Sequence, residues 1–203
     1  MDTYVNNLKR LNPSLNCRVV SSDDHVHEVW SIEQAVFPLH MQDSLETLKS
    51  FFATDDAHGI IVYSKQAPVG VLKGHHLSLA NTAADVLDGE DLKTKHDVTF
   101  YMDSVGVLES VRSTRLLDFL MHEMAVDMRR FDYQYVTAHA RVKGGLSRLY
   151  RRRYKAKVLA TYEDWSGFGE AFDYILVDLK NVPVQSWFRR TVYGLIRKIA
   201  NKL

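Results

Sequence analysis

The sequence predicts an α/β domain, and three observations carry that prediction. Apolar residues switch repeatedly between an alternating period and a helical one. The segments so defined follow the order β-α-α-β-β-loop-β-α-β-α-β-β. A central stretch, Thr99 to Leu120, starts as a strand rich in β-branched and aromatic residues and ends as a helix, with Leu117, Leu120, Met121, Met124 and Met128 on one face. With 203 residues, 46% hydrophobic and 25% charged, the chain can build one sizeable core, so one domain is expected.

Taken in order, residues 1–16 read as a polar extension with a short helix around Val5–Leu11, stopped by Pro13. Cys17–Val20 is the first strand. Ser21-Ser-Asp-Asp24 supplies a helix N-cap, and Val26, Val29, Trp30 and Phe37 mark the helix face that Pro38 ends. Asp43 and Glu46 stand as a capping pair before a second helix with Leu45, Leu48 and Phe52 inward. Gly59–Ser64 and Val69–Leu79 form a hairpin across Lys65-Gln-Ala-Pro68. Ala80–Asp97 is an acidic loop with one helical turn. After the central strand–turn–helix come a strand at Tyr133–Ala140, an arginine-rich helix at Gly144–Arg153, and two strands at Lys155–Tyr162 and Phe172–Leu179.

The turn after Val107 holds Arg112, Ser113, Thr114 and Arg115. A strand feeding a helix through a polar turn aims backbone N–H groups at one spot, and the helix dipole adds positive charge there. This stretch resembles the acyl-CoA motif of the GNAT family of N-acyltransferases. Val105-Gly106-Val107 matches the strand end and Arg112 opens the Arg-Gly-x-Gly-x-Gly/Ala turn, while the glycine positions fall on Ser113, Arg115 and Leu117. Glycine would allow closer backbone approach, and Leu117 could crowd a phosphate. Further likenesses are Phe37-Pro38 at the substrate-side bend, Gln66–Val71 at a hairpin, and Leu149-Tyr150-Arg-Arg-Arg-Tyr154 for Leu-Tyr-x-x-x-Gly-Phe. The late hairpin Tyr162–Phe172 with Gly169-Glu-Ala171 is similar to that of ribosomal-protein and peptide N-acetyltransferases.

The resemblance covers residues 17–180. It implies a mixed, mostly antiparallel central sheet flanked by helices, and acetyl-CoA as co-substrate bound by Val105, Gly106, Val107, Arg112, Ser113, Thr114, Arg115, Leu116 and Leu117. It implies transfer of an acetyl group to a primary amine, of a protein or peptide. Backbone N–H groups at Val105–Val107 would polarise the thioester carbonyl, and Tyr150 would be the acid that protonates the departing thiolate. The spacing to Tyr154 is one residue short; anchored on Tyr154, the tyrosine position would fall on Leu149. For a base the sequence offers Asp103, His75, His76, His139 and Glu170. Asp103 leads, because strand alternation puts it on the face of Tyr101, Val105 and Val107.

The single Cys17 excludes an internal disulfide and a cysteine metal cluster, and no metal is expected. No run of 18 apolar residues and no signal-peptide pattern occurs, so a cytoplasmic chain is expected, peripheral at a membrane if the tail binds one. Arg141, Lys143, Arg148, Arg151, Arg152 and Arg153 cluster. Coenzyme phosphates, a nucleic-acid or acidic-protein patch and a solvated helix face all suit them. Residues 181–203 read as a basic amphipathic helix, with no acid after Asp178 and an apolar set of Trp187, Phe188, Val192, Leu195, Ile196, Ile199 and Leu203. It would dock on its own core or in a homodimer, lie on a membrane, or, least expected, bind nucleic acid. The alternative to an enzyme is a degenerate member that binds a protein, membrane or nucleic acid; the missing glycines favour it.

Overall fold

The computed structural model describes residues 15–80, 90–114 and 116–182, with side chains apart from those at 90, 91, 113 and 114. The expected helix at Val5–Leu11 and most of the basic tail lie outside the described residues. Strands β1 (Leu15–Val19), β2 (His58–Ser64), β3 (Ala67–His76), β4 (Thr99–Val107), β5 (Tyr135–Arg141), β6 (Lys157–Tyr162) and β7 (Phe172–Asp178) form one sheet of order β1-β2-β3-β4-β5-β7-β6. Every pairing is antiparallel except β4 with β5. The principal helices are α1 (Asp23–Val36), α2 (Leu45–Phe52), α3 (Leu116–Arg130) and α4 (Leu146–Tyr154).

Alternation along β2 distributes the helices between two faces. Ile60 and Val62 turn to the cluster shared with α3 and α4, where Leu116, Leu120, Met121, Met124 and Met128 are buried. Ile61 and Tyr63 turn to α1 and α2, against Val26, Val29, Ile32 and Leu48. On α3 the innermost first residue is Leu116; Leu117 packs at the edge of the same cluster.

Local chemistry sets the ends. Ser22 caps α1, its hydroxyl accepting from the His25 N–H. The capping pair expected at Asp43 and Glu46 is not formed. Ser44 caps α2 instead, accepting from the Thr47 N–H at 3.0 Å, which leaves Asp43 for an ion pair described below. Lys65 and Gln66 both adopt positive φ, 50° and 73°, the backbone of a tight two-residue hairpin turn. The strand expected to reach Leu79 stops at His76, whose ring caps a short 3₁₀ turn at Leu77–Leu79. The first strand begins at Leu15 rather than Cys17.

Two features of β4 position the site. Lys73 pairs with Ser104 and Gly74 with Met102, so Asp103 has no counterpart on β3 and forms a β-bulge. The extra residue resets the alternation. Ser104 and Gly106 face α1, whereas Val105 and Val107 pack toward α3. The expectation that Asp103 shares a face with Val105 and Val107 is therefore corrected: its carboxylate lies on the α1 side, bonded to Lys73. The second feature is the β4–β5 ladder, which covers only Thr99–Tyr101 against Tyr135–Thr137. Beyond it β4 pairs only with β3, and β5 only with β7, so the strands part.

Gly74, opposite the bulge, has no room for a side chain. A Cβ there would press on the Tyr101 carbonyl oxygen and come within 2.5 Å of the Phe100 ring. Gly74→Ala is expected to destabilise the fold by about 2–3 kcal/mol, the upper range for overpacking, measured by urea unfolding. A cost under about 0.5 kcal/mol would show that the bulge is not the rigid element described.

Candidate active site

Where β4 and β5 separate, a small open depression of about 30 Å³ forms, lined by Met102, Asp103, Ser104 and Val105 on one side and Ala138, His139, Leu146 and Tyr150 on the other. The β4 edge facing it has no strand partner. Its N–H and C=O groups are therefore available to a ligand.

Beside the cleft, on the α1 side, Lys73 is 1% exposed. Its ammonium donates to Asp43 at 2.9 Å and to Asp103, and lies 3.6 Å from Glu33. Burial lowers the Lys73 pKa, but the carboxylates of Asp103, Glu33 and Asp43 outweigh it and hold the group charged, above the usual lysine range. Glu33 is itself buried, and desolvation raises its pKa against the pull of Lys73. One Glu33 oxygen accepts from Ser104 at 3.1 Å; the other has no hydrogen-bond partner. The cluster ties α1, the α1–α2 connection, β3 and the bulge of β4 together. The sequence carried a signal for it, a lysine between buried residues of a strand, which the motif reading did not use.

Across the cleft, the Tyr101 phenol lies 3.0 Å from His139 Nδ1. His139 is stacked between Trp165, 3.5 Å away at 12°, and Tyr174, 4.5 Å away. Burial pushes the imidazole down to about 3, with Asp103 acting weakly the other way, so His139 is neutral at pH 7. Burial likewise raises the Tyr101 phenol, reinforced by Asp103, so it keeps its proton. With the phenol donating, Nδ1 accepts and Nε2 carries hydrogen; Nε2 is buried and has no partner.

Tyr150 is 1% exposed and lines the cleft. Its hydroxyl faces the thioethers of Met121 at 3.6 Å and Met102 at 3.9 Å, which are weak acceptors. Burial holds its proton firmly, with the charge of Asp118 adding to the effect. The short spacing to Tyr154 has a structural cause. The helix runs through Tyr154 and the left-handed residue that ends it is Lys155, φ 54°. Leu149 packs at the core edge and does not line the cleft.

Of the proposed coenzyme residues, Arg115 and the side chains of Ser113 and Thr114 lie outside the described residues. A 3₁₀ turn covers Glu109–Thr114, and Arg112 folds back to donate from Nε to the Val107 carbonyl at 3.2 Å. Leu116 points into the core and does not line the cleft. Asp118, in the first turn of α3, is bound by Arg153 and by the Tyr154 hydroxyl at 2.7 Å, which offsets its charge.

The other candidate bases are occupied elsewhere. His75 packs between Phe51 and Tyr101, and His76 caps its turn. Glu170 makes a two-pronged pair with Arg141, 2.9 and 3.0 Å, which removes Arg141 from the basic cluster. Among the described residues no group of side chains could hold a metal ion, and no helix is long and apolar enough to cross a membrane.

No family model matches the chain, and no curated protein matches it in sequence. Solved structures do match in fold. A GNAT-family protein from Desulfovibrio desulfuricans superposes with a TM-score of 0.63 at 11% identity, covering 81% of this chain and 99% of that one. A ribosomal-protein-alanine N-acetyltransferase from Escherichia coli gives 0.62 at 8% identity, covering 81% and 94%. A Salmonella typhimurium protein solved with its cofactor acetyl-CoA gives 0.61 at 12% identity, covering 82% and 94%. The chain has the GNAT acetyltransferase fold.

Two measurements test this electrostatic description. Lys73→Met strands three carboxylates and is expected to cost about 3 kcal/mol, the low end for a broken buried pair because Asp43 and Asp103 are 38% and 33% exposed. Adding Glu33→Gln should recover part of it in a double-mutant cycle; strict additivity would mean that the two do not interact. His139 gives a pH signature. Its folded pKa lies below the unfolded value of about 6.5, so below pH 6.5 the unfolded state binds the extra proton. Its contribution is fully present above about pH 6.5 and is lost as pH falls toward 3. Stability of the wild type relative to His139→Phe should fall by about tenfold in folding constant per pH unit across that window. A flat difference would place a charged imidazole there.

Proposed function

We propose that this chain is an N-acetyltransferase that uses acetyl-CoA and acts on a primary amine of a protein or peptide. The observation that carries the reading is the parting of parallel strands β4 and β5 after Tyr101 and Thr137, which leaves an open strand edge beside Tyr150. The fold it shares with acetyltransferases supports it.

Bound acetyl-CoA would supply an activated acyl carbon and a thiolate leaving group. Val105 and Val107, whose N–H groups alternate onto the free edge of β4 while that of Gly106 faces β3, would offer them to the carbonyl oxygen as it gains negative charge. The amine nitrogen bonds to that carbon, the carbon–sulfur bond breaks, and Tyr150 gives its proton to sulfur. A hydroxyl facing only thioethers has no strong competing acceptor, so the thiolate would be its best partner. Arg112 and the N-terminus of α3 hold the diphosphate. The nitrogen's proton leaves toward Asp103 or through water. Asp103 already carries the Lys73 ammonium, so taking up a proton would weaken that pair; its role is to steer the amine as well as to receive the proton.

The acceptor side supports a peptide. The α1–α2 and β6–β7 connections meet there, with His40 and Phe168 rings 6.0 Å apart, Met41 against Arg141 and Leu39 83% exposed. Such a rim offers apolar and aromatic contacts that the side chains of a peptide would use more than a small amine would. A second reading, a binder without turnover, is favoured by Leu117 at a glycine position.

Acetyl-CoA at millimolar concentration is expected to raise the melting temperature, since a bound ligand stabilises the fold by mass action. Tyr150→Phe should leave that shift intact and lower kcat about 100-fold with little change in KM, and Asp103→Asn should shift the pH profile. Binding without acetylation of any peptide in an N-terminal library would establish the second reading. Absence of a thermal shift would remove the enzyme reading and leave the second one.

A further inference from the structure

From Val142 to Tyr162 the chain carries seven cations and no acid. One of them, Arg153, turns in to Asp118. Arg148, Arg151 and Arg152 on α4 are exposed, and so is Lys155, the residue that ends the helix. They fall at the i, i+3, i+4, i+7 spacing of one helix face, opposite the buried Ser147, Tyr150 and Tyr154. Among the described residues none of these four cations is in an ion pair.

Helix stability does not account for this row. Arg148 sits in the first turn, where the dipole disfavours a cation, and that turn holds no acid. Arg148 with Arg152, and Arg151 with Lys155, are like-charge neighbours at i, i+4, which weaken a helix. The chemistry of the face narrows what it can meet. Every exposed residue of α4 and its cap is a cation. A protein interface needs an apolar or aromatic centre. A bilayer-bound helix needs apolar residues to insert, and single-stranded bases need aromatic rings to stack on. An arginine-rich face with none of these fits a surface that is itself a regular array of phosphates.

We propose that the outward face of α4 docks on double-helical nucleic acid through the phosphate backbone. The four cations span about 10 Å of helix, at 1.5 Å per residue. They would face a duplex that carries about one negative charge per 1.7 Å of its axis, with the guanidinium forks of Arg148, Arg151 and Arg152 on phosphate oxygens. Tyr150 lies on the inward side of the same helix, so this surface is separate from the cleft. It does not depend on the acetyltransferase reading.

The test is a salt titration of the full chain with a fluorescently labelled DNA duplex of about 20 base pairs. Each phosphate contact contributes about −0.9 to the slope of log K against log salt. Arg148→Gln, Arg151→Gln and Arg152→Gln combined should therefore flatten the wild-type slope by about 2.7 and weaken binding more than tenfold at about 0.05 M salt. The melting temperature should not fall, because the substitutions relieve like-charge repulsion; a fall with the slope unchanged would return the row to a structural role. Should the combined variant not fold, Arg148→Gln alone should flatten the slope by about 0.9. No binding of the duplex at about 0.05 M salt, a slope unchanged in the variants, or tighter binding of the single strand or of anionic vesicles that is lost in the variants would each overturn the proposal.

Discussion

The ladder between β4 and β5 lasts three residue pairs, and the open edge that begins at Met102 would be a liability in an ordinary sheet. The structure holds it open from both faces. On the α1 side the Lys73 ammonium draws in Glu33, Asp43 and Asp103, so α1, the α1–α2 connection and two strands are clamped at the bulge. On the α3 side Val105 and Val107, each half-buried, pack against the main core. The bulge reconciles the two demands. Without the extra residue at Asp103, either the carboxylate or the valines would face the wrong layer. Gly74, tight against Phe100 and Tyr101, keeps β3 close enough for Lys73 to reach across.

That dependence explains what the sequence revealed and what it hid. Helices and strands were legible because their apolar periods differ, and their order was enough to reach the fold. Register was not. A bulge leaves no composition signal, so simple alternation assigned Asp103 to the face of Val105. Cap choice at Asp43, Ser44 and Glu46 turned on a lysine 30 residues away, which no local rule contains. His139 could be named as a polar residue on a strand, but its burial depends on Trp165 from a distant loop. Tyr150 was legible as a type of residue at a spacing. The longer α4, ended by a left-handed Lys155, is what lets that spacing stand.

The turn after β4 illustrates how one position serves two masters. Leu116 fills the core against Leu120 and presses toward Gly70, where a Cβ would come 3.1 Å from its methyl group. An α3 that begins on a buried leucine is anchored by packing and has less need of glycines to approach the sheet. Its first-turn acid, Asp118, would repel a phosphate if exposed, yet it is 5% exposed and held by Arg153 and Tyr154. The helix N-terminus thus keeps its positive field while the side chains around it serve stability.

The near-neutral net charge of +1 conceals a separation made by the sheet. Glu33, Asp43 and Asp103 gather on the α1 side around a single lysine, and the α4 row stands on the other side with no carboxylate among it. Even with Glu33 protonated, the first group leaves excess negative charge next to the cleft, which favours an approaching ammonium over an anion. The second favours phosphate. The central strands keep the two apart, since β3 and β4 carry buried side chains on both faces. An amine and a phosphate would thus each meet complementary charge on opposite faces of one sheet.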